Sequence, residues 1–316
     1  MTTDLTVAVC TRNRSDSLIK LLHSIEKLKN VPFSWKLVIV DNNSTDNTKE
    51  RAISFINSST LIIDYLLESN LGLHACRNRI LLEAHSPFVA YLDDDMTLSE
   101  EWLLGATMLF DNKADAVVGK ILPDWETTPP EWLTSLNDNG VLGSLGLLDL
   151  GDKIKEIKSN LVFGGNSFIK RELCIKYGGF NPDSVPAEQL RFRGDGETGL
   201  FAKFERNGNR CFYDPAATAY HRIQSTRMTK DYQLKRAFNE GVSYSFTTTR
   251  SGKTNTKENI DSANKQFNFE SGRNLPEFRL SIRKSFWDGF IWHQNEIAKD
   301  PQLLHYIQQN SFLIPN

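Results

Sequence analysis

Three consecutive carboxylates, Asp93-Asp94-Asp95, directly follow the apolar run Phe88–Leu92. Adjacent carboxylates repel one another, so a folded chain keeps them together where solvent or a cation offsets the cost. Alternate side chains at a strand end point the same way, which would turn Asp93 and Asp95 toward one pocket. A site with few protein oxygens suits Mg2+ or Mn2+ that also holds diphosphate oxygens. The plain alternative is a solvated acidic turn, and the buried strand before the triplet weighs against it. Two other polar stretches close apolar runs: Thr11-Arg12-Asn13-Arg14 and Asp41-Asn42-Asn43-Ser44-Thr45-Asp46. The Asp and Asn side chains suit hydrogen bonds to a nucleobase or ribose, and they equally suit Asx turns and helix caps. An arginine at the first stretch fits a phosphate or a uracil-like ring, or merely a surface charge.

Such stretches act together only if the fold brings strand ends side by side. Leu5–Cys10, Lys36–Val40, Leu61–Leu67 and Pro87–Leu92 read as strands. Between them, Leu18, Leu21, Leu22, Ile25 and Leu28 mark one helical face, Ser44 or Thr45 caps a helix reaching Ile56, and Leu71–Ala84 forms another helix. Strands alternating with helices of this length imply βαβ units and a parallel sheet, whose ligands bind outside the carboxyl ends of the strands. Beyond the triplet the spacing predicts a helix over Leu98–Phe110 and a strand over Ala116–Ile121. A Pro-, Trp- and Gly-rich irregular stretch then runs to about Asn160, of the kind that forms functional loops. Regular patterning resumes at Leu161–Ile169, in a helix from Glu172, in Thr198–Asn207 and in Arg210–His221. Ser251–Asn274 reads as a polar linker, and Leu275–Lys299 as a helix rich in aromatic residues.

Composition narrows the classes. The chain has 316 residues, enough for roughly two domains of about 150 residues or one large one. Lys+Arg 37 against Asp+Glu 39 excludes nucleic-acid binding by bulk positive charge. The apolar 40% and charged 24% fractions exclude disordered and fibrous classes. Cys10, Cys76, Cys174 and Cys211 lie far apart, which rules out a small disulfide scaffold and gives no zinc-knuckle spacing. No signal-peptide pattern opens the chain, and no stretch nears the ~20 apolar residues that span a bilayer. The expectation is a cytoplasmic α/β protein without a transmembrane segment, peripheral membrane contact remaining open. The tail aromatics Phe286, Trp287, Phe290 and Trp292 are expected to pack on the body of the protein.

Four segments in order, TVAVCTRNRSDSL, VIVDNNSTDNT, ESNLGLHACRNRIL and VAYLDDDM, resemble the successive motifs of family 2 glycosyltransferases with the GT-A fold. The similarity continues through FGGNSFIKRE, GDGETGLFAKF and AYHRI, so it covers most of residues 5–240. The resemblance implies a Rossmann-like, mainly parallel sheet flanked by helices, with a C-terminal helical extension. It divides the chain into a nucleotide-sugar-binding half (1–115), an acceptor-binding half (116–250) and a linker with helical extension (251–316). It further implies an inverting enzyme that moves a sugar from a nucleotide-diphosphate donor, a UDP-sugar by default, to a hydroxyl on a glycan, lipid-linked or other acceptor. A degenerate carbohydrate- or nucleotide-binding protein and a sugar nucleotidyltransferase are the rival readings. The first-strand loop has no glycine, which counts against the second rival.

By the same resemblance, Thr11, Arg14, Asp41, Asn42, Asn70 and Gly72 hold the nucleotide, and Arg77 approaches it or pairs with the triplet. Asp93 faces ribose or metal, Asp94 lies on the nucleotide side, and Asp95 binds Mg2+ or Mn2+ with help from His221. Gly165 and Asn166 offer close backbone approach and an amide to sugar hydroxyls, or else form a bulge with a turn asparagine. Trp125 and Trp132 offer faces on which sugars stack, or simply fill core. Gly194-Asp195-Gly196-Glu197 departs from the family's Glu-Asp pattern, with glycine before the aspartate. Asp195 is expected to be the general base ahead of Glu197, while acids at a helix start also suit its dipole.

Overall fold

The computed structural model describes residues 3–313. Its first part alternates strand and helix: β1 (Leu5–Thr11), α1 (Ser15–Ile25), β2 (Trp35–Asp41), α2 (Thr48–Ser58), β3 (Ile63–Leu67), α3 (Leu73–Glu83) and β4 (Phe88–Asp93). Next come β5 (Met96–Leu98), α4 (Thr107–Phe110), β6 (Ala116–Trp125), α5 (Glu131–Thr134), β7 (Val141–Leu142), β8 (Leu147–Leu148), β9 (Lys155–Ile157) and β10 (Asn166–Lys170). The rest holds α6 (Arg171–Lys176), α7 (Gly196–Arg206), β11 (Cys211–Ile223), α8 (Lys230–Arg250), α9 (Thr256–Ser271), α10 (Glu277–Lys299) and α11 (Pro301–Ile307).

The strands form one mixed sheet in the order β3-β2-β1-β4-β10-β6-β11-β5. Strands β3, β2, β1 and β4 are mutually parallel, β10 runs antiparallel between β4 and β6, and β6 and β11 are parallel. Both faces are buried, as a helix-covered parallel sheet requires. Leu5, Val7 and Val9 of β1, with Leu37 and Ile39 of β2, pack against Leu18, Leu21, Leu22 and Ile25 of α1 and Phe55 of α2. The alternate residues Ala8, Cys10, Val38, Val40 and Tyr91 meet Cys76, Ile80 and Leu81 of α3 and Phe201 and Phe204 of α7 on the other face. This period-two alternation sends Thr11, Asp41 and Asp93 to the same carboxyl edge, where Thr11 lies opposite Asp41 and Cys10 opposite Asp93.

Three expectations need correction. Asp46, not Ser44 or Thr45, opens α2: its carboxylate accepts the Thr48 N–H at 3.0 Å. Leu98–Phe110 is not one helix but a 3-10 turn at Trp102–Ala106 running into the short α4. The polar Ser251–Asn274 is no linker, because Thr256–Ser271 is helical, with the Asn255 side chain accepting the Glu258 N–H. The helical extension is closely docked. A Cβ on Gly241 of α8 would stand 1.8 Å from the Phe286 carbonyl oxygen, and one on Gly289 of α10 would stand 2.0 Å from that of Phe238. Only glycine lets the two backbones cross this closely. Among the described residues no helix is long and apolar enough to cross a membrane.

Candidate active site

A cavity of about 890 Å³ opens at the carboxyl edge of β1, β2 and β4. One side is made by Thr11, Arg14, Asn42 and Asp93-Asp94-Asp95, and the other by Glu197, Arg236, Arg283 and Phe286. The loop Leu142–Gly146 and the segment Ser159–Gly165 add to the lining.

The three carboxylates have different partners. Asp94 is buried, accepting the Thr11 hydroxyl at 2.7 Å and an Arg14 N–H at 2.9 Å. Burial drives its carboxyl up to about 6 against the pull of Arg14 and Thr11. Asp95 accepts from Arg14 at 3.0 Å and lies 3.2 Å from Arg227 and 3.3 Å from His221. Burial opposes its charge as well, but the His221 ring, Arg14 and Arg227 outweigh that and hold the carboxyl well below the usual carboxylate range. Sheet pairing brings these groups together, since β5 runs antiparallel to β11 with Met96 opposite His221. The Arg222 N–H also donates to the Asp95 carbonyl at 2.8 Å. Asp93 turns the other way, accepting from Arg77 at 3.2 Å.

Arg77, on α3, is almost fully buried and joins two carboxylates, with Nη2 to Asp93 and Nη1 to Glu197 Oε2 at 2.9 Å. Burial disfavours its charge, but Glu197 and Asp93 more than restore it, and the guanidinium is held above its ordinary value. Gly164 and Gly165 make room for this arrangement. A Cβ on Gly165 would come 2.3 Å from Asp93 Oδ2, and one on Gly164 would come 2.5 Å from Arg77 Nη1.

Several residues expected to contact ligand are occupied elsewhere. Asp195 does not line the cavity: its oxygens accept from Asn181 Nδ2 at 2.6 Å and the Thr247 hydroxyl at 2.7 Å, and burial raises its carboxyl. Glu197, two residues further on in the first turn of α7, is the acid that lines the cavity. Asn166 is fully buried, donating to Lys120 and Ala217 carbonyls and accepting the Trp102 indole N–H at 2.7 Å, which leaves no amide for a sugar. Gly165 does line the cavity. Trp125 and Trp132 do not line it; Trp132 packs edge-on against Phe278 of α10 at 4.9 Å, because the docked extension covers it. Asp41 is buried behind the edge, accepting the Tyr65 hydroxyl at 2.5 Å and the Ser44 N–H at 2.8 Å. Asn42 lines the cavity, yet its amide ties loops together, donating to the Glu68 and Asn70 carbonyls and accepting the Gly72 N–H. Asn70 and Gly72 support that bracket and do not line the cavity.

The expected metal set is also divided. Among the described residues no three His, Cys, Asp or Glu side chains gather as ligands. Asp93 belongs to Arg77, which leaves Asp95 and His221. The His221 Nδ1 hydrogen bonds the Leu145 carbonyl at 2.8 Å, so in the neutral ring Nε2 is the acceptor, and it faces Asp95 and Arg227. One carboxylate and one imidazole fit a divalent ion that draws its other oxygens from a ligand.

Sequence reasoning missed Arg283, Phe286, Asp183 and the Leu142–Gly146 loop, all of which line the cavity; Arg236, on the helix that reads in sequence as a basic face near the donor or a solvated surface, lines it too. Only tertiary docking brings them here, and the loop carries no charged or motif residue that would mark it.

A family model described as Glycosyl transferase family 2 matches residues 6–178. The chain is 22% identical over 250 residues to the glucosyl-dolichyl phosphate glucuronosyltransferase of Haloferax volcanii, covering 76% of this chain and 75% of the relative. It is 28% identical over 225 residues to the O-antigen chain rhamnosyltransferase WbaN of Salmonella anatum, covering 70% and 65%. Among solved structures, mannosyltransferase PcManGT from Pyrobaculum calidifontis, in complex with GDP-Man and Mn2+, is similar with TM-score 0.55 at 17% identity, over 96% of this chain and 76% of that one. S. aureus TarS 1-349 in complex with UDP is similar with TM-score 0.52 at 16% identity, over 95% and 92%. With more than half its length matched, its relatives glycosyltransferases and its sheet of the GT-A type, the chain belongs to glycosyl transferase family 2.

Proposed function

We propose that this glycosyltransferase moves a sugar from a nucleoside diphosphate donor to a hydroxyl acceptor with inversion, and that Glu197 is the general base. The observation that carries this reading is the single buried guanidinium of Arg77 joining Glu197 to Asp93 across the cavity. Held by Arg77 and lining the cavity, the Glu197 carboxylate stands beside the acidic edge that suits the donor. In the transfer, Glu197 takes the proton of the acceptor hydroxyl as its oxygen bonds the anomeric carbon from behind. The bond from that carbon to the diphosphate oxygen breaks, and the nucleoside diphosphate leaves with the electron pair. Base catalysis of this kind is typically worth about 10²–10⁴-fold.

Arg14 and Arg227 lie where they balance the leaving diphosphate, and charge-assisted hydrogen bonds to phosphate are the strong ones. Asp95 and His221 would hold a divalent ion, which supplies Lewis-acid compensation of the same charge. Asp94, locked between Thr11 and Arg14, orients the first-strand loop. A UDP-sugar is the default donor: TarS carries UDP, whereas PcManGT carries GDP-Man, so the base is a matter for experiment.

A thermal-shift panel of UDP-, GDP- and dTDP-sugars, with and without Mn2+, tests the donor side. A ligand at 100 times its Kd stabilises by about 2.7 kcal/mol, a shift of several degrees. One nucleotide series is expected to raise Tm, more so with Mn2+, and a flat panel would rule out this donor class. NMR of the product anomer tests inversion, and a retained configuration excludes single displacement.

A further inference from the structure

Arg283 and Phe286 line both the candidate active site and a second hollow of about 860 Å³ among α8, α9 and α10. The two walls of this hollow differ in chemistry. Tyr244 of α8 and Phe286, Trp287 and Phe290 of α10 form an aromatic wall, with the Tyr244 ring 5.6 Å from those of Phe286 and Phe290. Trp287 and Phe290 are buried, whereas Tyr244 is 48% exposed and offers the ring face. Opposite stand Asn255, Glu258, Ser262 and Gln266, at or on α9, with amide, carboxylate and hydroxyl groups. The charged side chains that line the hollow, Lys253 and Arg283 against Glu258 and Glu270, cancel.

We propose that this hollow holds the distal sugars of the acceptor, and that the acceptor is an uncharged oligosaccharide. The inference rests on the transferase reading above. Sugar rings present apolar C–H faces to aromatic surfaces and hydroxyls to polar ones, which is the pairing these walls supply. A lipid tail would leave the Glu258 carboxylate and the Ser262 hydroxyl of this wall against hydrocarbon. A polyanionic polymer would meet no net positive charge. The shared residues Arg283 and Phe286 give continuity, so that an acceptor whose terminal sugar lies at Glu197 extends its next units over Tyr244.

The test uses the full chain on an array of neutral oligosaccharides, with affinities for the binders then measured by titration calorimetry. Tyr244→Ala is expected to weaken binding about tenfold, the scale of one well-placed aromatic contact. Ser262→Arg, at an exposed position that accepts the substitution without disturbing packing, should weaken it similarly by filling the hollow, and carries the test if Tyr244→Ala does not fold. Unchanged affinity in both variants, or an array on which the wild type binds nothing, overturns the proposal. So does binding of a polyisoprenyl phosphate in detergent micelles that Tyr244→Ala weakens, which would make the hollow a lipid site. Nucleotide binding by the wild type separates the two readings. Nucleotide bound without oligosaccharide overturns the hollow alone, while no nucleotide bound overturns the transferase reading beneath it.

Discussion

Replacing Glu197 by Gln removes one proton-accepting charge and keeps the side chain's size. An amide oxygen still accepts the Arg77 N–H, and Arg77 keeps Asp93 at 3.2 Å, so the buried guanidinium is not stranded. Weakening one charge-assisted hydrogen bond in this way costs about 1–3 kcal/mol, within the ~5–15 kcal/mol that holds a typical fold together. Turnover should suffer more. Losing the base is expected to lower kcat by about 10²–10⁴, equivalent to about 3–5 kcal/mol of transition-state stabilisation, with the donor Kd nearly unchanged. Asp195→Asn is the matched control. It disturbs the bonds from Asn181 and Thr247 and costs similar stability, yet it faces away from the cavity and should keep most of its kcat. The assay is nucleoside diphosphate release from the donor found by thermal shift, under saturating acceptor, with donor affinity titrated separately. If Asp195→Asn loses turnover as deeply as Glu197→Gln, or if Glu197→Gln turns over like the wild type, the assignment of the base is wrong.

Asp95→Asn should abolish the Mn2+-dependent part of nucleotide binding and also lower Tm by a few degrees, because Arg14 and Arg227 lose the carboxylate whose charge they more than stabilise; calorimetry with and without Mn2+ reads both, and a retained metal effect would clear Asp95 of that role. Gly241→Ala places a methyl against the Phe286 carbonyl and should cost about 3 kcal/mol in urea unfolding; a neutral result would mean the α8–α10 crossing is looser than 1.8 Å implies. His293 is fully buried, bonded to Ser245 and to the Arg191 carbonyl, and burial lowers its ring to about 4 from an ordinary value near 6.5. The unfolded chain therefore binds its proton first, so the stability is present above about pH 6.5 and is lost as pH falls toward about 4, by up to about 3 kcal/mol. Against His293→Gln, which shares every other titrating group, the wild type should lose that extra stability over this window, and parallel curves would contradict the burial argument.

The alternation of apolar residues determined much of this molecule before folding is considered. Leu5–Cys10 and Lys36–Val40 carry side chains for both faces of a buried parallel sheet, and the polar residues after each strand then have to meet along one edge. The aspartate triplet was legible for the same reason, since it follows the apolar strand Phe88–Leu92. Which way each carboxylate turns was not legible, because that depends on partners distant in the chain. Arg77 draws Asp93 toward Glu197, and the pairing of β5 with β11 sets Asp95 beside His221. Asp195 and Glu197 are two residues apart and chemically alike, and only their distant partners tell them apart: Asn181 and Thr247 hold Asp195 away from the cavity, while Arg77 holds Glu197 at its edge. The polar α9 gave no strong helical stripe and read as linker, since its one buried seam, Asn259 and Ala263, is completed by α10. Local sequence carries periodicity and propensity; contacts between segments a hundred residues apart are paid for by the whole fold, and those contacts decide the site.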